Sequence, residues 1–294
     1  MNEREKLSKK VGIFGIIGNV FLFIIKIIIG FMSNSRSMIA DSFNSAGDVF
    51  ASFMTWIGSR ISSVPNDDDH NFGHGKAEYI FSMLISISMM IIAGKLLYDS
   101  IFSIINRNVV KYSIFLIIVC IITILTKLFL YLYSRYIYKK YDNLLVKSNM
   151  LDHRNDIIVT SLTLIAIILS KYGIYLVDSI VGIIISIWIF IVGIKIYKES
   201  YDVLMDTSID NKTKNKILSI IREYESVKRV GEIYSIPVGY NYIVVLTILV
   251  DGRMHTAKSH KITSEIENKI LKNIERIENV IVHVEPYSKI VKNT

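Results

Sequence analysis

Asp41, Asn44 and Asp48 recur at i, i+3 and i+7 within a mostly apolar segment, a spacing that lines side chains along one face of an α-helix. Asp152 and Asp156 stand one helical turn apart in a second segment and share a face in the same way. Carboxylates, together with an amide carbonyl, are oxygen ligands suited to a divalent cation. A third cluster, Asp67-Asp68-Asp69 followed by His70 and His74, sets two imidazoles spaced four apart beside carboxylates, a combination that suits Zn, Mn or Fe-class ions. An acid at the centre of a membrane helix costs roughly 2.5–3.5 kcal/mol on insertion scales. Acids kept at such depth therefore mark an ion or proton path more often than a packing solution. Two blander readings stand beside this one. The helix acids could pair with Lys26, Lys95, Lys127 or Arg154, and the run Asp67 to His74 could be a solvated charged loop.

The elements that must position these groups are membrane helices. Of 294 residues 51% are hydrophobic and only 20% charged, with 3 prolines and 15 glycines, less charge and less punctuation than a soluble domain of this length carries. A spanning helix needs about 20 mostly apolar residues. Val11 to Met32, Ser37 to Ile61, Tyr79 to Ile105, Tyr112 to Tyr138 and Ile174 to Tyr197 meet that need. Leu144 to Ser170 is harder, because its N-terminal half carries Lys147, Asp152, His153, Arg154 and Asp156. Charge bias restores it. Arg4, Lys6, Lys9 and Lys10 precede the first span, and Arg135, Lys139, Lys140 and Lys147 follow the fourth. Only a full crossing at Leu144 to Ser170 keeps those groups and the C-terminal tail on one side. A polar helix is tolerated at membrane depth where it faces water or an ion.

The fold expected is an all-α six-helix transmembrane domain followed by an α+β cytoplasmic domain. Residues 1–10 form a cytoplasmic N-terminal segment, 11–199 the membrane domain, and 206–294 a regulatory or dimerisation domain. Within the tail, Lys212 to Tyr224 and Ala257 to Ile274 have helical periodicity. Val230 to Ile236, Tyr242 to Val250 and Val280 to Val284 read as strands, the second ending at the turn signal Asp251-Gly252. The order α-β-β-α-β predicts a small helix-on-sheet layer.

The net charge of +8 is scattered, with no recognition motif beside it, so we expect no nucleic-acid partner. Basic residues beside apolar spans set topology or touch anionic lipid instead. The single Cys120 can form no internal disulfide and no thiolate metal site. No cleavable signal peptide is expected, since the first apolar segment is too long. No Glu-x-x-His or His-Glu-x-x-His pattern lies on any span, which argues against a metalloenzyme.

Three runs in this order resemble the cation diffusion facilitator family: Ala40 to Asp48, His70 to Glu78, and Asp152-His153-Arg154-Asn155-Asp156. The resemblance covers nearly the whole chain and implies a ferredoxin-like, metallochaperone-type tail. It implies homodimers that exchange a cytoplasmic divalent cation for protons by alternating access, in the cell membrane, with both termini cytoplasmic. By this likeness the transport site falls on Asn44, Asp48, Asp152 and Asp156, and a loop site on Asp67, His70 and His74. Asp41 lies beside the first pair. Lys76 and Asp206 match positions that pair near the membrane–tail junction in relatives.

Two departures from the family pattern matter. Zinc-preferring members commonly carry His at the first position of one or both transport pairs, where this chain has Asn44 and Asp152. The neighbouring His153, about 100° round the helix from Asp152, is expected to point elsewhere. An oxygen-only site favours Mn²⁺, with Zn²⁺ or Fe²⁺ next. In the tail, His260, His283 and Glu285 match metal positions of some relatives, but Gly231 and Thr247 stand where two other ligands would align. Metal and protons would compete for the same carboxylate oxygens, which is antiport by exchange. No tightly bound cofactor is expected, only the transported ion. The readings left beside this one are a zinc or iron exporter and a non-transporting metal sensor or scaffold.

Overall fold

A computed structural model describes residues 3–32, 36–106, 114–170 and 176–287. The chain divides into two compact units, Met1–Tyr201 and Asp202–Thr294. Six long helices make the first among the described residues: α1 (Glu3–Met32), α2 (Arg36–Ser62), α3 (Ala77–Asn106), α4 (Ile114–Tyr141), α5 (Leu144–Ser170) and α6 (Leu176–Leu204). The segment expected to precede the first span is itself helical from Glu3 and continuous with α1.

This unit reverses the polarity of a soluble protein. Its surface carries Ile17, Ile91, Leu125 and Ile184, each more than 60% exposed, while its interior holds Ser42, Ser45, Asp48, Ser52, Thr55 and Ser59, all on α2. Those buried positions recur every three or four residues, so α2 turns one polar stripe inward. A bundle that shows isoleucine outward and hides serine suits a lipid solvent, where small residues allow close packing and polar side chains hydrogen-bond between helices. Three helices are long and apolar enough to cross a membrane: Glu3–Ile29, Ala77–Asn106 and Ile114–Tyr141, among the described residues.

Close packing of α1 on α2 depends on Gly12. A Cβ there would stand 2.6 Å from the Trp56 Cα, so the two backbones are in contact. Asn19, also on α1, donates from Nδ2 to the Asp48 carbonyl at 3.0 Å and to Ser52 Oγ at 2.9 Å. At one end of the bundle the buried Glu78 gathers three elements. It accepts from Arg4 of α1 at 2.8 and 3.1 Å, from Asn143 Nδ2 at 3.0 Å, and from the Leu144 amide at 2.8 Å. Asn143 in turn caps α5, its Oδ1 accepting from the Val146 amide at 2.9 Å.

The second unit holds α7 (Asn211–Arg222), β1 (Val227–Val238), β2 (Asn241–Val250), α8 (Thr256–Asn273) and β3 (Ile277–Pro286). The sheet order is β1-β2-β3, with β1 antiparallel and β3 parallel to the central β2. A parallel neighbour needs a crossover, and α8 supplies it. Ile217 and Ile221 of α7, Ile266 and Ile270 of α8, and Val244, Leu246 and Ile248 of β2 form the buried core between helices and sheet. The α-β-β-α-β order expected from the sequence is the order found.

Candidate metal site

The acids of α2 and α5 meet around a lysine of α4. Asp48 is 5% exposed and Asp152 6%. Lys127, itself 1% exposed, places its Nζ 2.8 Å from Asp48 Oδ2 and 2.5 Å from Asp156 Oδ2. The pairing considered as the blander account of these acids thus exists, through Lys127. It does not use up their oxygens, however. Asp152 Oδ2 is buried with no hydrogen-bond partner among the described residues, and so are both amide atoms of Asn149 and the Asn155 Nδ2. Buried polar atoms are rarely left unsatisfied without a ligand, water or ion to meet them. A cavity of about 300 Å³ reaches Asp152, Asn155 and Asp156 and is walled by Lys95 and Asp99 of α3, Thr163 of α5 and Ile189 of α6.

His153 departs from expectation. It is fully buried, and neither ring nitrogen has a partner among the described residues. A ring nitrogen and carboxylate oxygens of Asp152 and Asp156 all lie within 4.8 Å of one another. His153 precedes Asp156 by three residues, and i, i+3 side chains are neighbours on a helix. A ring nitrogen of His153 therefore stands beside the carboxylate oxygens of Asp152 and Asp156. Arg154, by contrast, turns away from the acids. Its guanidinium lies 4.5 Å from the Trp188 ring centroid on α6, a cation–π contact that removes it from the list of counter-ions.

Asn44 and Asp41 lie on α2, but their side chains fall outside the described residues. Lys76 precedes α3 in the first unit, where its carbonyl accepts from the Tyr79 amide at 3.0 Å. Asp206 follows α6 in the second unit, with a φ of 57°.

The loop between α2 and α3 brings its predicted ligands together. Asp67, His70 and His74 each turn one ligand atom to within 4.8 Å of the others. Asp67 Oδ1 accepts from the His70 amide at 2.6 Å and lies 3.1 Å from His70 Nδ1, while its Oδ2 lies 3.6 Å from His74 Nε2. The backbone hydrogen bond from His70 is the main reason the Asp67 carboxyl sits below the usual carboxylate range. Gly73 makes the return possible with a φ of 71°, a conformation glycine adopts without steric cost.

The tail residues do not gather in this way within one chain. His283 and Glu285 stand 3.6 Å apart on the exposed face of β3, and His260 on α8 faces Ser264 Oγ at 3.3 Å. Across the strands, Thr247 is the register partner of His283, and a Cβ on Gly231 would meet the Thr247 Cβ at 3.1 Å. Of the two non-ligating residues noted in the sequence, Thr247 therefore stands beside His283 and Gly231 beside Thr247.

Lys127 was named in the sequence only as one of several counter-ions. Its signal is legible in retrospect, since it is the one charged residue between Ile114 and Ser134. Glu78 was visible only as the end of a motif.

Residues 12–205 match the profile of the cation efflux transmembrane domain. The chain belongs to the cation diffusion facilitator family. Residues 209–287 match the cytoplasmic domain of cation efflux proteins. Over 97% of its length the chain is 30% identical to the manganese efflux system protein MneP of Bacillus subtilis, covering 98% of that protein. It is 26% identical to the cation-efflux pump FieF of Cronobacter sakazakii, over 91% of this chain and 89% of the other. Among solved structures, the metal-bound C-terminal domain of the CzcD transporter from Thermotoga maritima matches 26% of this chain and 94% of its own length, at 27% identity and a TM-score of 0.26. The likeness first carried by three short motifs is thus met along the whole chain. As a member of this family the chain is an integral membrane protein that moves a metal cation in efflux.

Proposed function

We propose that this family member exports Mn²⁺ in exchange for protons, by alternating access, through Asn44, Asp48, Asp152 and Asp156. The observation that carries the reading is the convergence of Asp48, Asp152 and Asp156 from two helices on Lys127, with Asp48 and Asp152 buried and Asp152 and Asp156 lining a cavity. Three carboxylates form a hard-donor set, and waters can complete an octahedron around Mn²⁺. The likeness to a manganese efflux protein supports the same ion. Protons and metal would compete for the same oxygens, which couples the two fluxes.

The proposal includes six membrane crossings, with residues before Val11 and the tail from Asp206 in the cytoplasm of the cell membrane. The Lys/Arg asymmetry supports it, and α2 and α5 would cross despite their acids because those face the bundle interior. It further includes a homodimer built partly on the tail, which the matching cytoplasmic domain supports. The loop triad Asp67, His70 and His74 is proposed as an accessory metal site on the cytoplasmic side.

One observation favours a second metal. The imidazole of His153 beside Asp152 and Asp156 supplies the nitrogen that Fe²⁺ and Zn²⁺ prefer. Reconstituted transport of Mn²⁺, Zn²⁺, Fe²⁺ and Co²⁺, side by side, separates the readings. Mn²⁺ fastest at matched concentration is the expected result; Zn²⁺ fastest, with Mn²⁺ at background, would overturn it.

A further inference from the structure

Helix α4 contributes no residue to the motifs that define the transport site, yet it sends one charged side chain into its centre. From Ile114 to Ser134 Lys127 is the only charged side chain. A lysine in the middle of a span is costly on insertion scales, roughly 2.5–3.5 kcal/mol, and it is retained where it has work among charges. Here its ammonium bonds to one oxygen of Asp48 on α2 and one of Asp156 on α5, at 2.8 and 2.5 Å. These are carboxylates the transported ion would have to use.

We infer that Lys127 is a tethered counter-cation that exchanges with the transported metal for Asp48 and Asp156. The inference rests on the transport-site reading above. A small divalent ion binds oxygens at about 2.0–2.6 Å. An ammonium at 2.5 and 2.8 Å from the same two oxygens fills the same space and carries the same sign of charge. The two cations are alternatives there. Whichever leaves, the other can neutralise the acids, so the carboxylates of α2 and α5 stay bridged without a metal ion between them. That is what an exchanger needs, because the carrier must return across its cycle without its cargo.

The structure also provides a place for the displaced ammonium. Thr123 is one turn before Lys127 on α4, and its Oγ1 is buried without a hydrogen-bond partner among the described residues. Helical side chains lean toward the N-terminus, over the i−4 position, and the lysine stem has four flexible carbons. A small swing would carry Nζ from the carboxylates to the Thr123 hydroxyl. Arginine at this position would behave differently, since a guanidinium grips carboxylates through a fork and is harder to displace.

The test is Mn²⁺ binding to the purified full-length protein in detergent, by calorimetry, for wild type, Lys127→Met, Lys127→Gln and Lys127→Arg. Loss of the competing charge should tighten Mn²⁺ binding in the Met and Gln variants by on the order of tenfold, and slow turnover in proteoliposomes because release is no longer assisted. The Arg variant should bind on the order of tenfold more weakly. Equal or weaker binding in both neutral variants would overturn the inference. If the neutral variants do not fold, the Arg variant decides alone, and wild-type affinity there would overturn it. A wild type that binds Mn²⁺ but transports none contradicts the export reading instead, and leaves the binding comparison standing.

Discussion

Lys127 Nζ donates to Asp156 Oδ2 at 2.5 Å, and through the same nitrogen α4 joins α5 to Asp48 of α2. The proposed metal-binding face is therefore a three-helix arrangement in which acids from two helices converge on a lysine from a third. Each expectation below depends on that arrangement or on the contacts that hold it.

Metal preference should respond to the two neighbours Asp152 and His153. Asp152→His places a second imidazole beside the first, and should shift transport toward Zn²⁺ relative to Mn²⁺. His153→Ala should leave Mn²⁺ transport within a few-fold of wild type if the carboxylates carry the ion, and should depress Zn²⁺ and Fe²⁺ more. Rates with each ion in proteoliposomes give the ratio directly. A His153→Ala variant that loses Mn²⁺ first would make the imidazole an essential ligand.

Glu78 should matter for stability more than its place at the end of a loop motif implies. Its carboxylate is 2% exposed and holds Arg4, Asn143 and the first amide of α5 together. Glu78→Ala leaves Arg4 without its bidentate partner and the Leu144 amide of α5 without its acceptor. Arg4 is 21% exposed, so the cost falls below the about 3–5 kcal/mol of breaking a fully buried pair. Thermal unfolding in detergent should show a large loss, partly recovered in Glu78→Gln, which keeps an acceptor.

Gly12→Leu should separate α1 from α2. Even a Cβ would stand 2.6 Å from the Trp56 backbone, and backbone cannot yield as a flexible side chain can. The displacement would pull Asn19 away from Asp48 and Ser52. Transport and melting temperature should fall together, and Gly12→Ala should lie between. A Gly12→Leu protein with wild-type stability would show that the two helices do not pack on this residue.

The loop after α2 should loosen at acid pH. The Asp67 carboxyl titrates below the usual range because the His70 amide and ring hold its charged form. Lowered folded-state affinity for the proton means that the ionised form supports the loop above the ordinary aspartate range. That support is lost as pH falls through the lower folded value. Amide exchange across residues 66–76 should accelerate in that window, and Asp67→Asn should show fast exchange already at neutral pH.

Much of this was legible in the chain, for physical reasons that differ by element. The polar fifth helix was placed at Leu144 to Ser170, where α5 is found. Hydropathy alone reads this segment as short because its N-terminal half is polar, while the helix runs unbroken through that half. The tail elements were visible as β-branched runs and helical periodicity. The strands run longer than expected, Val227–Val238 and Ile277–Pro286, because pairing continues past the β-branched stretch. The parallel partnership of β2 with β3 had no local signal, since it depends on where α8 returns the chain. At the site, helix faces were readable but partners were not. Lys127 was visible as a lone charge, and its choice of Asp48 and Asp156 is set by how α4 packs on α5. His153 stands about 100° round the helix from Asp152 yet neighbours Asp156 at i+3, and its ring nitrogen lies close to both acids.

The central claim is that Asp48, Asp152 and Asp156 hold the ion that crosses. The measurement that tests it most directly is Mn²⁺ accumulation in proteoliposomes with an acidic lumen, comparing wild type with Asp48→Ala and Asp156→Ala. Wild type should accumulate Mn²⁺ while the pH gradient lasts, and a protonophore should stop it. Both variants should fall to the rate of protein-free vesicles. Mn²⁺ accumulation at the wild-type rate in either variant would contradict the account.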